Sequence, residues 1–278
     1  MRNTLILAVV GTALAGIAAP AMAQEIEDKP FDGVYVGGTV GFDAQRNDVG
    51  SSILFDRNLD GQFGDTVRTA AGGNAFSPGF CNGAARTNAN FNCRNDKDNV
   101  SYSGRVGFDK QFSHIVVGVI GEFGKSEARD SVSAFSTTPA FYTMTRKVNY
   151  NANVRARAGY ALDRTLFYAT GGGAYAKIDS SFQTSNTANA FAARGDDDAW
   201  GFVAGGGVEQ KLGKHFSVGL EYLYNRYQND GFRVRATQGT APATNPFVLA
   251  PNTSGTDFRR SDPKFTWHSV RATAQFRF

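Results

Sequence analysis

The last ten residues of the chain, 269–278, alternate strictly between apolar and polar side chains and end on an aromatic residue. The apolar positions are Phe278, Phe276, Ala274, Ala272 and Val270, and the polar positions are Arg277, Gln275, Thr273, Arg271 and Ser269. A period of two predicts a β-strand with one apolar and one polar face. Any fold for this chain must therefore give the terminal strand an apolar environment on one side and a polar one on the other.

The same period recurs in seven further segments, which gives eight predicted strands. They cover approximately residues 33–43, 99–110, 115–124, 148–160, 165–179, 199–212, 216–225 and 265–278. In most of them one face carries Val, Ile, Phe, Tyr or Ala, and the other carries Ser, Asn, Gly, Arg or Glu. On the fourth strand, for example, the apolar face runs from Val148 to Tyr160 through every second residue.

The fifth strand has two faces of nearly equal hydropathy, so its orientation is the least determined. Lys177 and Asp179 share one parity, and we expect these charged side chains to point inward. Four side chains of the other parity are therefore assigned to the outside. These are Leu166, Tyr168, Ala174 and Ile178.

Short and long connections alternate along the chain. The connections after strands two, four and six span a few residues, whereas residues 44–98, 125–146, 180–198 and 226–264 form long polar loops. This alternation predicts an all-β fold, an eight-stranded antiparallel up-and-down transmembrane β-barrel with long extracellular loops and short periplasmic turns. A soluble barrel of the lipocalin type is the alternative, but it would place the large side chains inside. The Arg, Glu and Asn face and the aromatic residues near strand ends favour the membrane form.

The first 23 residues have the features of a cleaved signal peptide. Arg2 precedes an apolar run over residues 5–19, and small residues occupy positions 21 and 23, so we expect cleavage between Ala23 and Gln24 and a barrel domain over 24–278. A retained anchor is the alternative, but the run is short for a ~30 Å hydrocarbon core. Export through the periplasm to the outer membrane of a Gram-negative bacterium follows. The mixed charges along the chain exclude a nucleic-acid partner.

The inward faces of the predicted strands carry ionisable side chains at two levels. Five of them lie six to eight residues from the neighbouring periplasmic turn or chain end, namely Arg105, Glu122, Arg155, Glu221 and Arg271, and Arg157 and Glu209 lie lower. Isolated buried charges are very costly, whereas interdigitated Arg and Glu satisfy each other. The cluster is either a plug that fills the lumen or a charged constriction for ions and small solutes. The narrow interior of an eight-stranded barrel favours the plug.

The first long loop, residues 44–98, contains two local features. Cys81 and Cys93 predict an intraloop disulfide in an oxidising compartment, with two free thiols as the alternative. Residues 56–63 resemble the start of an EF-hand-type calcium loop, with Asp56, Asn58, Asp60, Gln62 and, in place of the expected Glu, Asp65 as candidate calcium ligands. A surface turn rich in Asp, Asn and Gly explains the same residues without metal. No other cofactor is indicated.

Several segments together resemble a known family. They are residues 31–38 (FDGVYVGG), 154–160 (VRARAGY), 168–172 (YATGG), 200–209, 220–222 (LEY) and the terminal strand. Together they resemble the small outer-membrane β-barrels of alphaproteobacteria, grouped as opacity-type, immunogenic or porin-family proteins. The long first loop, with its cysteines and Asp-rich turn, departs from the simplest members and puts adhesion through the loops in doubt.

The resemblance implies a structural or surface-interaction role in the cell envelope, as a surface antigen. Its implied partners are outer-membrane lipid and lipopolysaccharide, the outer-membrane assembly machinery, and an extracellular or host ligand. The assembly signal would be carried by Phe276 and Phe278.

A barrel-embedded enzyme is the third alternative, after the envelope role and a small channel. Such a site needs a His beside a carboxylate or Ser near the outer rim. His114 and His215 fall at predicted periplasmic turns and His268 on the outward parity, so no enzyme is expected.

Overall fold

The structure, a computed structural model, describes residues 29–45, 51–91, 93–96, 99–195 and 197–278. The predicted cleavage site at Ala23 and Gln24 lies outside these residues. The described part of the chain contains no helix that is long and apolar enough to cross a membrane. In chain order its strands are β1 (Gly33–Ala44), β2 (Ile53–Asp56), β3 (Phe80–Asn82), β4 (Asn99–Phe112), β5 (Ile115–Ser126), β6 (Arg129–Ser136), β7 (Ala140–Leu162), β8 (Thr165–Thr184), β9 (Ala190–Arg194), β10 (Asp198–Lys211), β11 (Phe216–Gln228), β12 (Arg233–Thr237), β13 (Thr256–Arg260) and β14 (Lys264–Arg277).

Eight of these strands close into an antiparallel barrel. Their order around the barrel is β1, β4, β5, β7, β8, β10, β11 and β14, and β14 pairs back onto β1. Each of the eight strands predicted from the two-residue period corresponds to one of them, so the predicted barrel is confirmed. The terminal strand forms the closure, since Phe276 pairs with Val36 and Val270 with Phe42.

The apolar parity faces outward on most barrel strands. Val40 and Phe42 on β1, Val106 on β4 and Phe123 on β5 are all more than half exposed. An outward wall of Val, Phe and Tyr is costly in water and favourable in hydrocarbon. The apolar side chains of these strands thus face outward, as the alternation predicts.

The orientation that we assigned to β8 is wrong. Leu166, Tyr168, Ala174 and Ile178 are buried in the interior, and Phe167, which has the opposite parity, is 53% exposed. The two faces of this strand are so similar that hydropathy could not decide between them. In the observed orientation the Tyr168 hydroxyl donates to Glu221 in the lumen, at 2.9 Å, and the Tyr168 ring lies 4.4 Å from the Arg157 guanidinium.

The fourth predicted strand also differs from expectation at one end. Val148 was expected on the outward apolar face, but it is fully buried. A β-bulge between Val148 and Tyr150 shifts the register of β7 against β8. A bulge adds one residue to one strand, so the faces exchange on its far side.

The long loops build a second layer above the barrel, which we call the cap. It consists of β2, β3, β6, β9, β12, β13, the residues of β7 before Val148, and the end of β8 from Ile178 onward. One of its sheets has the order β2, β13, β12, β9, and the other joins β3 and β6 to the extended β7 and β8.

The two cap sheets enclose an apolar core. The loops were expected to be polar, yet fifteen buried residues form one cluster: Ile53, Phe55, Val67, Ala75, Phe76, Val132, Ala134, Ala140, Tyr142, Met144, Val234, Ala236, Phe247, Val248 and Phe258. These residues are spread over three loops in short stretches. Only the pairing of segments distant in sequence brings them together.

Candidate functional site

The upper level of the lumen is an Arg/Glu cluster, formed by Arg105, Glu122, Arg155, Glu221 and Arg271. Glu122 accepts hydrogen bonds from all three arginines, at 2.9 Å from Arg105, 3.0 Å from Arg155 and 2.7 Å from Arg271. Glu221 accepts from Arg105 and Arg271, at 2.8 and 2.7 Å. All five side chains are buried. Two carboxylates thus neutralise most of the charge of three guanidinium groups.

A lower level lies nearer the short turns. Arg157 contacts Glu209 at 2.7 Å and Asp109 at 2.9 Å, and Arg277 contacts Asp109 at 2.9 Å. The Tyr35 ring lies within cation–π distance of both arginines, with centroid distances of 5.5 Å to Arg157 and 4.6 Å to Arg277. Cation–π attraction between the Tyr35 ring and the two guanidinium groups therefore adds to the packing of the ring.

The positive and negative charges of the lumen balance. The two levels hold five arginines and four carboxylates, and Asp43, which accepts hydrogen bonds from Ser101 and Ser126 above them, supplies a fifth. A buried charge is tolerated when a partner and hydrogen bonds replace its hydration.

Apolar clusters lie at both ends of the lumen. Toward the cap, one cluster includes Val203, Leu223, Tyr227, Phe265 and Trp267. Toward the short turns, the other consists of Phe31, Val116, Ala161, Leu166 and Tyr168. Between the upper cluster and the Arg/Glu level, a cavity of about 10 Å³ remains beside Arg271. That volume holds about one water molecule.

Three side chains of the lumen were missed by the sequence analysis. Asp109 and Arg277 have the inward parity of Arg105 and Arg271 and lie at the lower level, with Arg157 and Glu209. Tyr168 was assigned to the wrong face. Extending the parity count to the ends of β4 and β14 would have found the first two.

The three histidines lie apart from the charged levels. His114 Nδ1 lies 3.1 Å from the Ala161 carbonyl oxygen, and His215 Nδ1 lies 2.8 Å from that of Arg277, both at the short turns. His268 is paired with the Tyr222 hydroxyl at 2.6 Å on the outer wall.

In the cap, Cys81 and Cys93 form a disulfide, with a Cα–Cα distance of 6.2 Å. It closes a loop that β3 anchors to β6. The loop-entropy model gives a stabilisation of about 3 kcal/mol for a loop of this size.

In the Asp-rich turn, the candidate calcium ligands mainly contact their own backbone. Asp56 accepts from the amides of Asp60 and Gly61, Asp60 from that of Gln62, and Asp65 from that of Arg57. The described residues contain no group of three or more His, Cys, Asp or Glu side chains placed to hold a metal. The calcium site of Asp56, Asn58, Asp60, Gln62 and Asp65 stays a prediction.

A polar junction joins the cap to the barrel. Asp130 on β6 contacts Arg146 on β7 at 2.7 Å and Arg260 on β13 at 2.6 Å. Arg146 reaches Asp262 at 3.1 Å and donates to the carbonyl oxygen of Lys264, the first residue of β14, at 2.7 Å. Asp96, just after the disulfide loop, accepts from the Ser131 amide at 3.1 Å. Three loops therefore meet at one set of charges.

The junction predicts a pH dependence of cap stability. Burial and the neighbouring Asp130 carboxylate raise the pKa of Asp96 to about 7, against the Ser131 amide and Arg260, which lower it. The native cap therefore holds a proton that the unfolded chain releases, so stability falls as pH rises from about 4 to about 7. In Asp96→Asn we expect trypsin resistance of the cap to vary less over this range. An unchanged pH profile in this variant would contradict the assignment.

Comparison with known proteins decides the family. Residues 10–241 match the family described as "Outer membrane protein beta-barrel domain". The chain belongs to this outer-membrane β-barrel family. It is therefore an integral protein of the Gram-negative outer membrane, and its cap lies on the extracellular side.

Named relatives of this outer-membrane β-barrel are alphaproteobacterial. It is 33% identical over 122 residues to the 31 kDa outer-membrane immunogenic protein of Brucella melitensis, covering 43% of this chain and 50% of the relative. It is 29% identical over 156 residues to the 22 kDa outer membrane protein of Rhizobium leguminosarum, covering 55% of this chain and 66% of the relative. The chain thus spans between half and two thirds of the length of these relatives.

Among solved structures, the outer membrane protein OprG from Pseudomonas aeruginosa is similar, with 11% identity and a TM-score of 0.46. The similarity covers 89% of this chain and 96% of that chain.

Proposed function

We propose that this outer-membrane β-barrel is a closed structural barrel that holds a folded cap at the cell surface. The observation that supports the proposal is the arrangement of the lumen, where two levels of buried Arg/carboxylate pairs lie between two apolar clusters. An eight-stranded barrel has room inside for side chains and little else. Ions crossing it would have to break several charge-assisted hydrogen bonds at once, each of which is stronger than a neutral one.

The runner-up function is a small channel, and conductance distinguishes the two. In planar bilayers we expect the purified, refolded protein to give no reproducible single-channel steps. Reproducible steps whose ion selectivity changes in Glu221→Gln would overturn the closed barrel, because they would place the ion path through the Arg/Glu cluster. Arg164→Gln, in the short turn between β7 and β8, is a control that changes one charge outside that cluster.

The cap is the part of the molecule that we propose for surface interactions. The outer face of its β2–β13–β12–β9 sheet carries Arg233, Arg235 and Arg259. Phe63 from the Asp-rich turn lies against Arg233 and Arg259, at 5.1 and 4.3 Å from its ring centroid. Arg235 is paired with Asp257 at 2.6 Å. An arginine and aromatic surface of this kind is typical of interaction sites.

For assembly we propose that Phe278 and Phe276 form the recognition signal. Their side chains are 72% and 45% exposed on the outer wall, and their ring centroids lie 5.3 Å apart. Phe278→Ala should lower the amount of folded protein in the outer membrane, measured by heat-modifiable migration of membrane fractions. Phe216→Ala, an exposed aromatic on β11, is the matched control. Equal levels of the two variants would remove Phe278 from this role.

A further inference from the structure

The outer wall of the barrel has a depression that the described fold does not fill. It is an open depression of about 710 Å³ that spans β4, β5, β7 and β8 and is also lined by Gly37 of β1 and Trp200 of β10. Its floor is formed by four small residues, Gly104, Gly121, Ala152 and Gly173. We call it the wall groove.

The strand register explains how the groove arises. One cross-strand row reads Gly104, Phe123, Ala152, Tyr175, Trp200, and the next reads Val106, Gly121, Val154, Gly173, Phe202. Large and small side chains alternate along most of each row, so the large side chains form the sides of the groove and the small ones its floor. The Tyr175 and Trp200 rings are in contact, with centroids 5.2 Å apart.

The row above the groove, toward the cap, carries charge. Tyr102 pairs with Lys125, and Lys177 pairs with both Tyr150 and Asp198. Lys177 is held by Asp198 at 3.3 Å. Lys125 is exposed and makes no ion pair with any residue that the structure describes. A cation above a row of aromatic residues is the arrangement expected at a lipid headgroup level.

The depth of the groove corresponds to one leaflet. Four residues separate Lys125 from Gly121, which is about 14 Å along a strand. With a strand tilt of about 45°, this becomes a depth of roughly 10 Å, inside the outer half of a ~30 Å hydrocarbon core. Hydrocarbon surrounds the wall at that depth, and an empty groove would forfeit dispersion contacts on its whole floor.

We propose that the wall groove binds one molecule of the phosphorylated glycolipid of the outer leaflet, lipopolysaccharide. An acyl chain lies along the glycine floor beside Phe123 and Tyr175, and a phosphate lies at Lys125. The phosphate complements Lys125, which makes no ion pair with any described residue, and the groove opens on the extracellular side, where this lipid is found. The site exists whether or not the lumen conducts, so it goes beyond the function proposed above.

The test is lipid retention by the refolded full chain in detergent, measured by native mass spectrometry with diphosphoryl lipid A, phosphatidylglycerol and phosphatidylcholine as probes. We expect one bound lipid A in preference to either phospholipid. Gly173→Leu should reduce retention about tenfold, the equivalent of ~1.4 kcal/mol. A Cβ at Gly173 or at Gly104 meets no atom within 4 Å, so either residue can be enlarged without disturbing the fold. Gly104→Leu is therefore a second, independent groove variant.

The rim and the controls complete the test. Lys125→Ala should weaken retention about fivefold, the loss of ~1 kcal/mol for one lysine near a lipid surface. Two control variants should retain lipid A to the same extent as the unmodified protein. They are Ala272→Leu, on the opposite side of the barrel, and Lys214→Ala, at a periplasmic turn. Equal retention of all three lipids, or unchanged retention in both groove variants, would overturn the proposal. So would a dimer that Gly173→Leu dissociates, because a second copy would then be the occupant.

Discussion

Glu122→Ala is expected to destabilise the barrel by about 3 to 5 kcal/mol, the usual effect of removing one partner from a buried charge cluster. Glu122 accepts hydrogen bonds from Arg105, Arg155 and Arg271. Without it, three guanidinium groups face each other with Glu221 as the remaining carboxylate of that level. The free energy of unfolding is measured by urea titration of the protein refolded into vesicles, followed by the fluorescence of Trp200 and Trp267.

The matched control for this variant is Glu127→Ala. Glu127 lies five residues after Glu122, just beyond the end of β5, and its side chain is exposed. Its removal should change stability by no more than about 0.5 kcal/mol. Glu122→Gln, which keeps the shape and one acceptor oxygen, should fall between the two. Equal stability of Glu122→Ala and Glu127→Ala would mean that water solvates the lumen charges, and the filled-lumen proposal would fail with it.

Phe258→Ala is expected to unfold the cap and leave the barrel intact. Phe258 is fully buried, and its ring packs against Phe55, Phe247 and Tyr142 with centroid distances of 5.1, 5.2 and 6.0 Å. Truncating a core Phe costs about 3 to 5 kcal/mol. The loss is confined to the cap because the Phe258 ring contacts cap residues. Limited trypsin digestion should cleave the cap, while heat-modifiable migration reports a folded barrel.

Phe91→Ala is the matched control in the cap, since Phe91 is 72% exposed. It should resist trypsin like the unmodified protein. If Phe258→Ala keeps full resistance, the cap core does not stabilise the loops. If the barrel unfolds together with the cap, the two layers form a single cooperative unit.

The sequence predicted the barrel because lipid imposes a simple rule on every strand. A barrel wall has lipid on one side and lumen on the other, so each strand must alternate, and Val40, Phe42, Val106 and Phe123 all face outward as their parity requires. Alternation does not predict the orientation of a strand whose two faces have similar hydropathy. On β8 the inward face carries Tyr168, whose hydroxyl donates to Glu221, a residue 53 positions away.

The cap could not be predicted in the same way. Its core residues come from three loops and alternate over stretches as short as Ile53–Asp56, which are too short to show a period. The partners of β13, for example, are β2 and β12. Pairings of this kind, and the meeting of Asp96 with Asp130, depend on chain segments that only the closed barrel holds side by side.

The sequence by itself determined the strand number, the outward face of most strands, the two ends of the barrel and the inward parity of the charged residues. These follow from a repeat of two residues within each strand, because every second side chain of a barrel strand faces lipid and is apolar. The tertiary structure alone decided which arginine pairs with which carboxylate and which face of β8 points into the lumen. It also decided that the loops fold into a cap and that the outer wall has a groove. Each of these depends on neighbours across the sheet, and their identity is set by register between strands and not by order along the chain.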